Sequence, residues 1–279
     1  MATVIELLQK AEQGINCSES ARLDAEILLC DVMQFSRSKI YSHPEQVVAD
    51  DKTVLFQSLI KQRQQGHPIA HLTGKKEFWS LQLTVNKDTL IPRPETELLV
   101  ETALQKIPKG AEFNILDLGT GCGAIAIAIA SERPHCNLVA TDINANALAI
   151  AKKNAETHQL KNILFYHSDW YQNIPPQKFD LIVSNPPYIK QGDEHLKQGD
   201  VRFESKLALV AGTDGMQAIN MILENTKAYL ASEACLLIEH GYDQKSLVQE
   251  TFQNHNFKQI KTFQDLSGHD RITLGHASN

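Results

Sequence analysis

Residues 115–130 read ILDLGTGCGAIAIAIA, an apolar run that breaks into three glycines and continues as alternating Ala and Ile. A helix of Ala and Ile has no polar side, so it must be buried, and the strand feeding it ends in the turn formed by Gly119, Gly121 and Gly123. Around this unit, strands and helices alternate. The patterning predicts strands over 113–118, 137–142, 162–167, 179–184, 235–240, 257–264 and 270–275, with helices near 95–106, 121–132, 144–157, 216–231 and 243–254. Such alternation implies an α/β fold, a mostly parallel sheet covered on both faces. Only Asp265 to His269 separate the last two strands, so these are expected to pair as an antiparallel hairpin at one edge.

The first 75 residues read differently, as a small helical bundle. Thr3 with Glu6 fits a capping box ahead of Val4, Leu7, Leu8 and Ala11. Leu23, Ile27 and Cys30 suggest a second amphipathic stripe, and Leu55, Phe56, Leu59 and Ile60 a third, stopped by Gly66 and Pro68. Between 77 and 90 the period shortens to two, with Trp79, Leu81, Leu83 and Val85 alternating toward a turn at Asn86-Lys87-Asp88. The expected organisation is therefore a helical domain over 1–75, a β-hairpin and linker over 76–94, and an α/β domain over 95–279. The stretch from Ile189 to Gly215 exceeds the roughly 12–15 residues of a passive connection and is a candidate recognition loop.

With 42% hydrophobic and 22% charged residues the composition is that of an ordinary globular protein, and a net charge of -6 disfavours a mode of binding that neutralises many phosphates. No segment approaches the ~20 apolar residues of a membrane span, and the N-terminal residues lack signal-peptide character, so the expected location is the cytoplasm. Cys17, Cys30, Cys122, Cys136 and Cys235 show no C-x-x-C spacing, which argues against a disulfide framework or a structural zinc site. His195 and His240 have no metal-ligand spacing to another His or Cys, and no metal is expected.

The glycine turn is a candidate ligand cradle, because a backbone without Cβ atoms can approach a bound group closely. Nineteen residues beyond Gly123, at the end of the next strand, stands Asp142, placed to accept from both ribose hydroxyls of a nucleoside. The G-x-G-x-G spacing and the absence of a P-loop lysine favour S-adenosylmethionine over a dinucleotide, since that cofactor carries no pyrophosphate. Asp169 and Trp170, after the third strand, then fall where an adenine would lie, a carboxylate for its amine and an indole for its face. Asp117 either contacts the methionyl amino group or caps the glycine turn. Cys122 has no activating neighbour and reads as a small filler within the loop formed by Gly119, Thr120, Gly121, Cys122 and Gly123.

The second signal is FDLIVSNPPY, residues 179–188, a buried strand ending in Asn185-Pro186-Pro187-Tyr188. Two prolines remove two backbone donors and leave carbonyls that no ladder can use. With the Asn185 side-chain oxygen and the Tyr188 ring they suit a flat, neutral NH2 with two protons to donate. The expectation is that Asn185 and the Pro186 carbonyl accept those protons while Tyr188 presses on the plane of the group.

With both motifs in place, the chain resembles the HemK/PrmC family, the peptide chain release factor glutamine methyltransferases. The resemblance runs through ARLDAEILL, GHPIAHLTGKKEFW, LIPRPETELLVE, LDLGTGCGAIAIAIA, SDW, FDLIVSNPPYI, GDVRFE, ALVAGTDG and LLIEHG. It implies a seven-stranded class I methyltransferase domain behind a small helical domain, and since a loop-tip glutamine offers little area for selectivity, the helical domain is expected to help grip the substrate. It also implies methylation of the glutamine side-chain amide in the Gly-Gly-Gln motif of class-1 release factors, with S-adenosylmethionine held by Gly119–Gly123, Asp142, Trp170 and Asn185 and the substrate by Asn185–Tyr188. The expected partners are release factors, not nucleic acid or membrane, and the expected state is a monomer. The rivals are a ribosomal-protein glutamine methyltransferase, a nucleic-acid amino methyltransferase and a non-catalytic adaptor. Ser205, where the family often has Pro, and Ser232-Glu233-Ala234, where a Gly-Gly turn is usual, depart from the pattern.

Overall fold

A computed structural model describes residues 2–277 and divides them into two compact units. One comprises the residues through Lys75 together with His195–Phe203, and the other comprises Lys76–Glu194 and the residues from Glu204 onward.

In the helical unit, α1 (Val4–Gly14), α2 (Ala21–Met33), α3 (Arg37–Ser42), α4 (Asp50–Gln64) and α5 (Ile69–Thr73) surround a core that includes Leu8, Leu28, Leu29, Val48 and Phe56. The Thr3–Glu6 capping box forms as the sequence predicts. The stripe predicted for α2 is displaced by one position. Ala25, Leu28, Leu29 and Val32 are buried, whereas Leu23 is 38% exposed. The side that turns inward also carries Asp24 and Glu26, both satisfied by partners. Arg63 Nε donates to Asp24 Oδ2 at 2.7 Å, and Glu26 accepts from Arg22, Arg37 and the Tyr41 hydroxyl. Burial pushes the Glu26 carboxyl up, yet these three donors hold it below its ordinary value. In α4 likewise Phe56, Ile60 and Arg63 are buried while Leu55 faces outward. Phe203 from the returning segment lies 4.3 Å, ring to ring, from His67, and Arg202 donates to the Gln65 carbonyl.

A two-stranded hairpin follows, β1 (Lys75–Phe78) and β2 (Leu81–Thr84). Its turn is at Trp79-Ser80, not at Asn86–Asp88 as the alternation suggested. Trp79 and Ser80 adopt φ of 53° and 58°, the left-handed pair that a two-residue hairpin turn requires. Bulky residues there are held by partners outside the turn: Trp79 N donates to Glu97, its indole to Glu132, and Ser80 N to Glu77.

The remaining elements are α6 (Glu97–Lys106), β3 (Asn114–Leu118), α7 (Ala124–Glu132), β4 (Asn137–Asp142), α8 (Ala145–Thr157), β5 (Ile163–His167), β6 (Phe179–Ser184), α9 (Gln217–Tyr229), β7 (Leu230–Glu239), α10 (Lys245–Asn254), β8 (Lys258–Gln264) and β9 (Asp270–His276). The seven-stranded sheet has the order β5-β4-β3-β6-β7-β9-β8. Pairing is parallel from β5 to β7 and antiparallel across β9 and β8, as the short Asp265–His269 connection demands. Every residue of α7 from Ala124 to Ala130 is buried. The strand order reverses direction between β3 and β6, so the carboxyl ends there diverge and open a crevice.

Candidate active site at the carboxyl edge of the sheet

The crevice holds a cavity of about 240 Å³ whose walls include Gly119 and Gly121 after β3, Asp142 and Ile143 after β4, Asp169 and Trp170 after β5, and Asn185 and Pro187 after β6. Seven predicted residues from four strand ends thus meet in one space. Thr120, Cys122, Gly123, Pro186 and Tyr188 are not among the residues that line it.

The glycine loop is fixed from several directions. Thr120 N donates to the Thr141 carbonyl at 2.8 Å, and Gly123 N to the Thr120 carbonyl at 2.8 Å. Gly121, at φ +58°, would direct a Cβ into open space, and a Cβ on Gly119 would lie 3.6 Å from the Trp170 ring. Side chains at either position would occupy the cradle. Behind the loop, Asn154 of α8 is buried and donates to the carbonyls of Cys122 and Thr84. The Cys122 thiol is pushed up to about 12 by burial, which suits a packing residue.

Asp142 turns both oxygens onto backbone donors, Oδ2 to Gly121 N and Oδ1 to Asn144 N, each at 2.8 Å. Burial raises its pKa, against the pull of those amides. Each oxygen keeps a second lone pair for a hydroxyl donor. Asp117, the penultimate residue of β3, is wholly buried. Its Oδ2 accepts from the Thr120 hydroxyl at 2.6 Å, Oδ1 has no partner among the described residues, and burial lifts the carboxyl to about 7. Trp170 sits at φ +47°, a costly conformation for a large side chain, with Ser168 Oγ bonded to its carbonyl. Asp169 Oδ2 accepts from Gln172.

At the proline corner, Asn185 Nδ2 donates to Thr96 Oγ1 at 3.1 Å, which leaves Oδ1 as the atom free to meet a ligand. Pro186, the next residue, is buried. The Tyr188 hydroxyl turns to Glu239 Oε1 at 3.4 Å, and its backbone carbonyl accepts from Gln244.

Sequence reasoning singled out the 189–215 connection as a candidate recognition loop but named none of its residues as lining the cavity. Ser205, Leu207, Ala208, Val210 and Ala211 from the long connection, with Met221 from α9, complete the cavity. Ile189 pairs with Val210 as a short parallel bridge, which pins the connection against the proline corner. Ahead of the lining residues the connection is anchored by Glu204, buried, accepting from Ile91 N at 3.0 Å and from the Arg93 guanidinium. The length of the connection was the only signal of this wall.

A seven-stranded sheet with one antiparallel edge, carrying a glycine turn after β3 and a crevice at its carboxyl ends, is the architecture of a class I methyltransferase. Residues 94–205 match the family model "Methyltransferase small domain", and residues 6–74 match "PrmC N-terminal domain". Among solved structures, a methyltransferase from Pyrococcus furiosus shares the fold, with a TM-score of 0.53 at 18% identity over 79% of this chain and 96% of that one. The release factor glutamine methyltransferase of Escherichia coli is 46% identical over 96% of each chain, and that of Aliivibrio fischeri is 44% identical over 96% of this chain and 95% of its own. The chain belongs to the release factor glutamine methyltransferase family.

Proposed function

We propose that this protein transfers a methyl group from S-adenosylmethionine to the side-chain amide nitrogen of the glutamine in the Gly-Gly-Gln motif of class-1 release factors, acting in the cytoplasm as a monomer. The observation that carries the reading is the fixed orientation of Asn185. Its NH2 is held by Thr96, so a carbonyl oxygen faces the cavity from which Gly119 and Asp142 would hold the donor.

The residues present fit the cofactor. Gly119 and Gly121 leave room against the loop, Asp142 retains lone pairs for ribose hydroxyls, Trp170 and Ile143 offer flat and apolar surface, and Asp169 can accept from an exocyclic amine. When bound, S-adenosylmethionine supplies an electrophilic methyl group.

A glutamine amide nitrogen is a weak nucleophile because its lone pair is delocalised into the carbonyl. Asn185 Oδ1 and the Pro186 carbonyl would accept its two hydrogens, fix the NH2 and stabilise positive charge as the nitrogen becomes tetrahedral. Pro186 and Pro187 lock the backbone that carries both acceptors, so positioning supplies much of the acceleration. Tyr188 and Pro187 would shape the approach of the amide. The proton leaves to water once the nitrogen is cationic. The helical unit, 1–75 in the expected division, would add grip on the release factor, since a loop-tip glutamine offers little area for selectivity.

The test is incubation with methyl-labelled cofactor and, separately, purified release factor, ribosomal proteins and DNA, followed by mass spectrometry. A methyl on the glutamine of Gly-Gly-Gln is the expected result. Label confined to ribosomal protein or to a base amine would replace this reading with one of its rivals.

A further inference from the structure

The carboxyl edge of the sheet continues past the cavity. β7 ends there at Glu239 and feeds the loop that leads to α10. β9 runs antiparallel to β7, with Glu239 opposite Ile272, so the Asp265–His269 turn that joins β8 to β9 lies on the same edge. Loop and turn touch: the Tyr242 and His269 rings stand 5.6 Å apart, and the Arg271 guanidinium is 5.9 Å from the centre of the Tyr242 ring. The loop is bound in turn to the proline corner. Gln244, 2% exposed, accepts from Gly241 N at 2.8 Å and donates to the Tyr188 carbonyl at 3.1 Å. Asn185–Tyr188, the Tyr242 loop and the β8–β9 turn therefore form one continuous rim.

Two large apolar side chains stand out from this rim, Tyr242 at 57% exposure and Leu266 at 109%. Single exposed apolar residues are ordinary on a protein surface. Leu266 differs in how firmly it is held out. Asp265 Oδ1 accepts from Ser267 N and His269 N, each at 2.9 Å, and its Oδ2 accepts from Arg271 Nε at 3.0 Å. The backbone closes the turn as well, with Gly268 N on the Asp265 carbonyl and Asp265 N on the His269 carbonyl, both at 2.9 Å. A side chain presented from a backbone already fixed costs less ordering when a partner covers it.

We propose that Leu266, with Tyr242 on the adjoining loop, is an anchor for the protein substrate: it seats in an apolar depression of the release factor beside the Gly-Gly-Gln loop. The inference rests on the reading that the glutamine amide docks at Asn185–Tyr188. β7 and then β9 and β8 follow β6 in the sheet, and at ~4.8 Å between neighbouring strands the turn lies roughly 10–15 Å from the corner. An interface of ordinary size covers about 800 Å² on each partner, a disc of about 16 Å radius. A release factor centred on its glutamine thus extends over the turn. The ends of β3, β4 and β5, which wall the cofactor cavity, lie on the opposite side of the corner. The anchor accordingly acts on the binding of the protein and leaves the donor and the transfer step alone.

The experiment measures methylation of purified release factor at varied concentration by wild type, Leu266→Ser and Leu266→Met. The control is Leu164→Ser, at a leucine 59% exposed on β5, the strand at the other edge of the sheet. S-adenosylhomocysteine affinity is read by calorimetry, and each variant is checked by thermal unfolding and sedimentation. Leu266→Ser is expected to raise KM for the release factor about 5-fold or more, with kcat at saturating release factor and inhibitor affinity within about twofold of wild type. Leu266→Met keeps the apolar bulk and should stay near wild type, as should Leu164→Ser. A KM for Leu266→Ser within about twofold of wild type, or a rise that Leu266→Met or Leu164→Ser shares, overturns the proposal. So does a wild-type dimer that Leu266→Ser dissociates, which would give the turn to a second copy of this chain. A wild type that leaves the release factor unmethylated overturns the functional reading, and the anchor with it.

Discussion

Asp117→Asn should change how the stability of the protein varies with pH, and by an amount that can be worked out. Asp117 is 0% exposed, lacks a partner on Oδ1, and is lifted by burial from 3.8 to about 7. Its folded pKa therefore exceeds its unfolded value. The stability it contributes is fully present below about 4 and is lost as pH rises through about 7, because the unfolded chain ionises first while the native state keeps the proton. The full window is worth about 4 kcal/mol at 1.36 kcal/mol per pKa unit, of which about 3 kcal/mol is lost between pH 5 and pH 8. Asparagine has the shape of the neutral acid and still accepts from the Thr120 hydroxyl, but does not ionise. Urea denaturation of both proteins at pH 5 and pH 8, without added cofactor, gives the double difference. Glu239, also raised to about 7, and the lowered Glu26 and Asp265 are common to both proteins and cancel. The variant should gain about 3 kcal/mol on wild type over that interval. Stability curves that run parallel to within about 0.5 kcal/mol would show that Asp117 ionises freely and that its burial carries no such cost.

Three further expectations follow from the geometry. Asn185→Ala removes the acceptor at the proline corner and should lower kcat by about 100-fold, with little effect on the melting temperature; near-normal turnover would remove Asn185 from the mechanism. Gly123→Ala places a methyl 2.8 Å from Ile127 Cδ1 and 3.2 Å from Ala151 Cβ at a φ of +88°, so urea denaturation should show a loss of about 1–3 kcal/mol, whereas an unchanged midpoint would mean the loop yields freely. Arg63→Ala leaves Asp24 uncompensated inside the helical unit, a pair only 10% and 8% exposed, and thermal unfolding should register about 3–5 kcal/mol.

Legibility in the sequence followed the range of the interactions. Strands and glycine turn were readable because their determinants are local: continuous apolar runs, and glycines at positions that do adopt φ of +72°, +58° and +88°. The convergence of Gly119, Asp142, Trp170 and Asn185 was readable because the strand ends of a parallel sheet share one edge. The hairpin turn was not, since Trp79 and Ser80 take left-handed φ only with Glu97, Glu132 and Glu77 as partners. The inward side of α2 was misplaced because its polar residues Asp24 and Glu26 are buried with cations, which an apolar stripe does not reveal. Thr96 meets Asn185, and Glu204 meets Ile91, across 89 and 113 residues of chain. Nothing in the local composition marks such pairs.

The polypeptide leaves the helical unit at Lys75, revisits it over His195–Phe203, and departs again at Glu204, where the Ile91 and Arg93 anchor begins. A gene begun at codon 76 would consequently leave an orphan: nine residues deprived of Gln65 and His67, tethered within the very connection that lines the cavity. Modular dissection, swapping or circular permutation of this enzyme must carry that inserted strip along with the helices, or replace it with a short bridge.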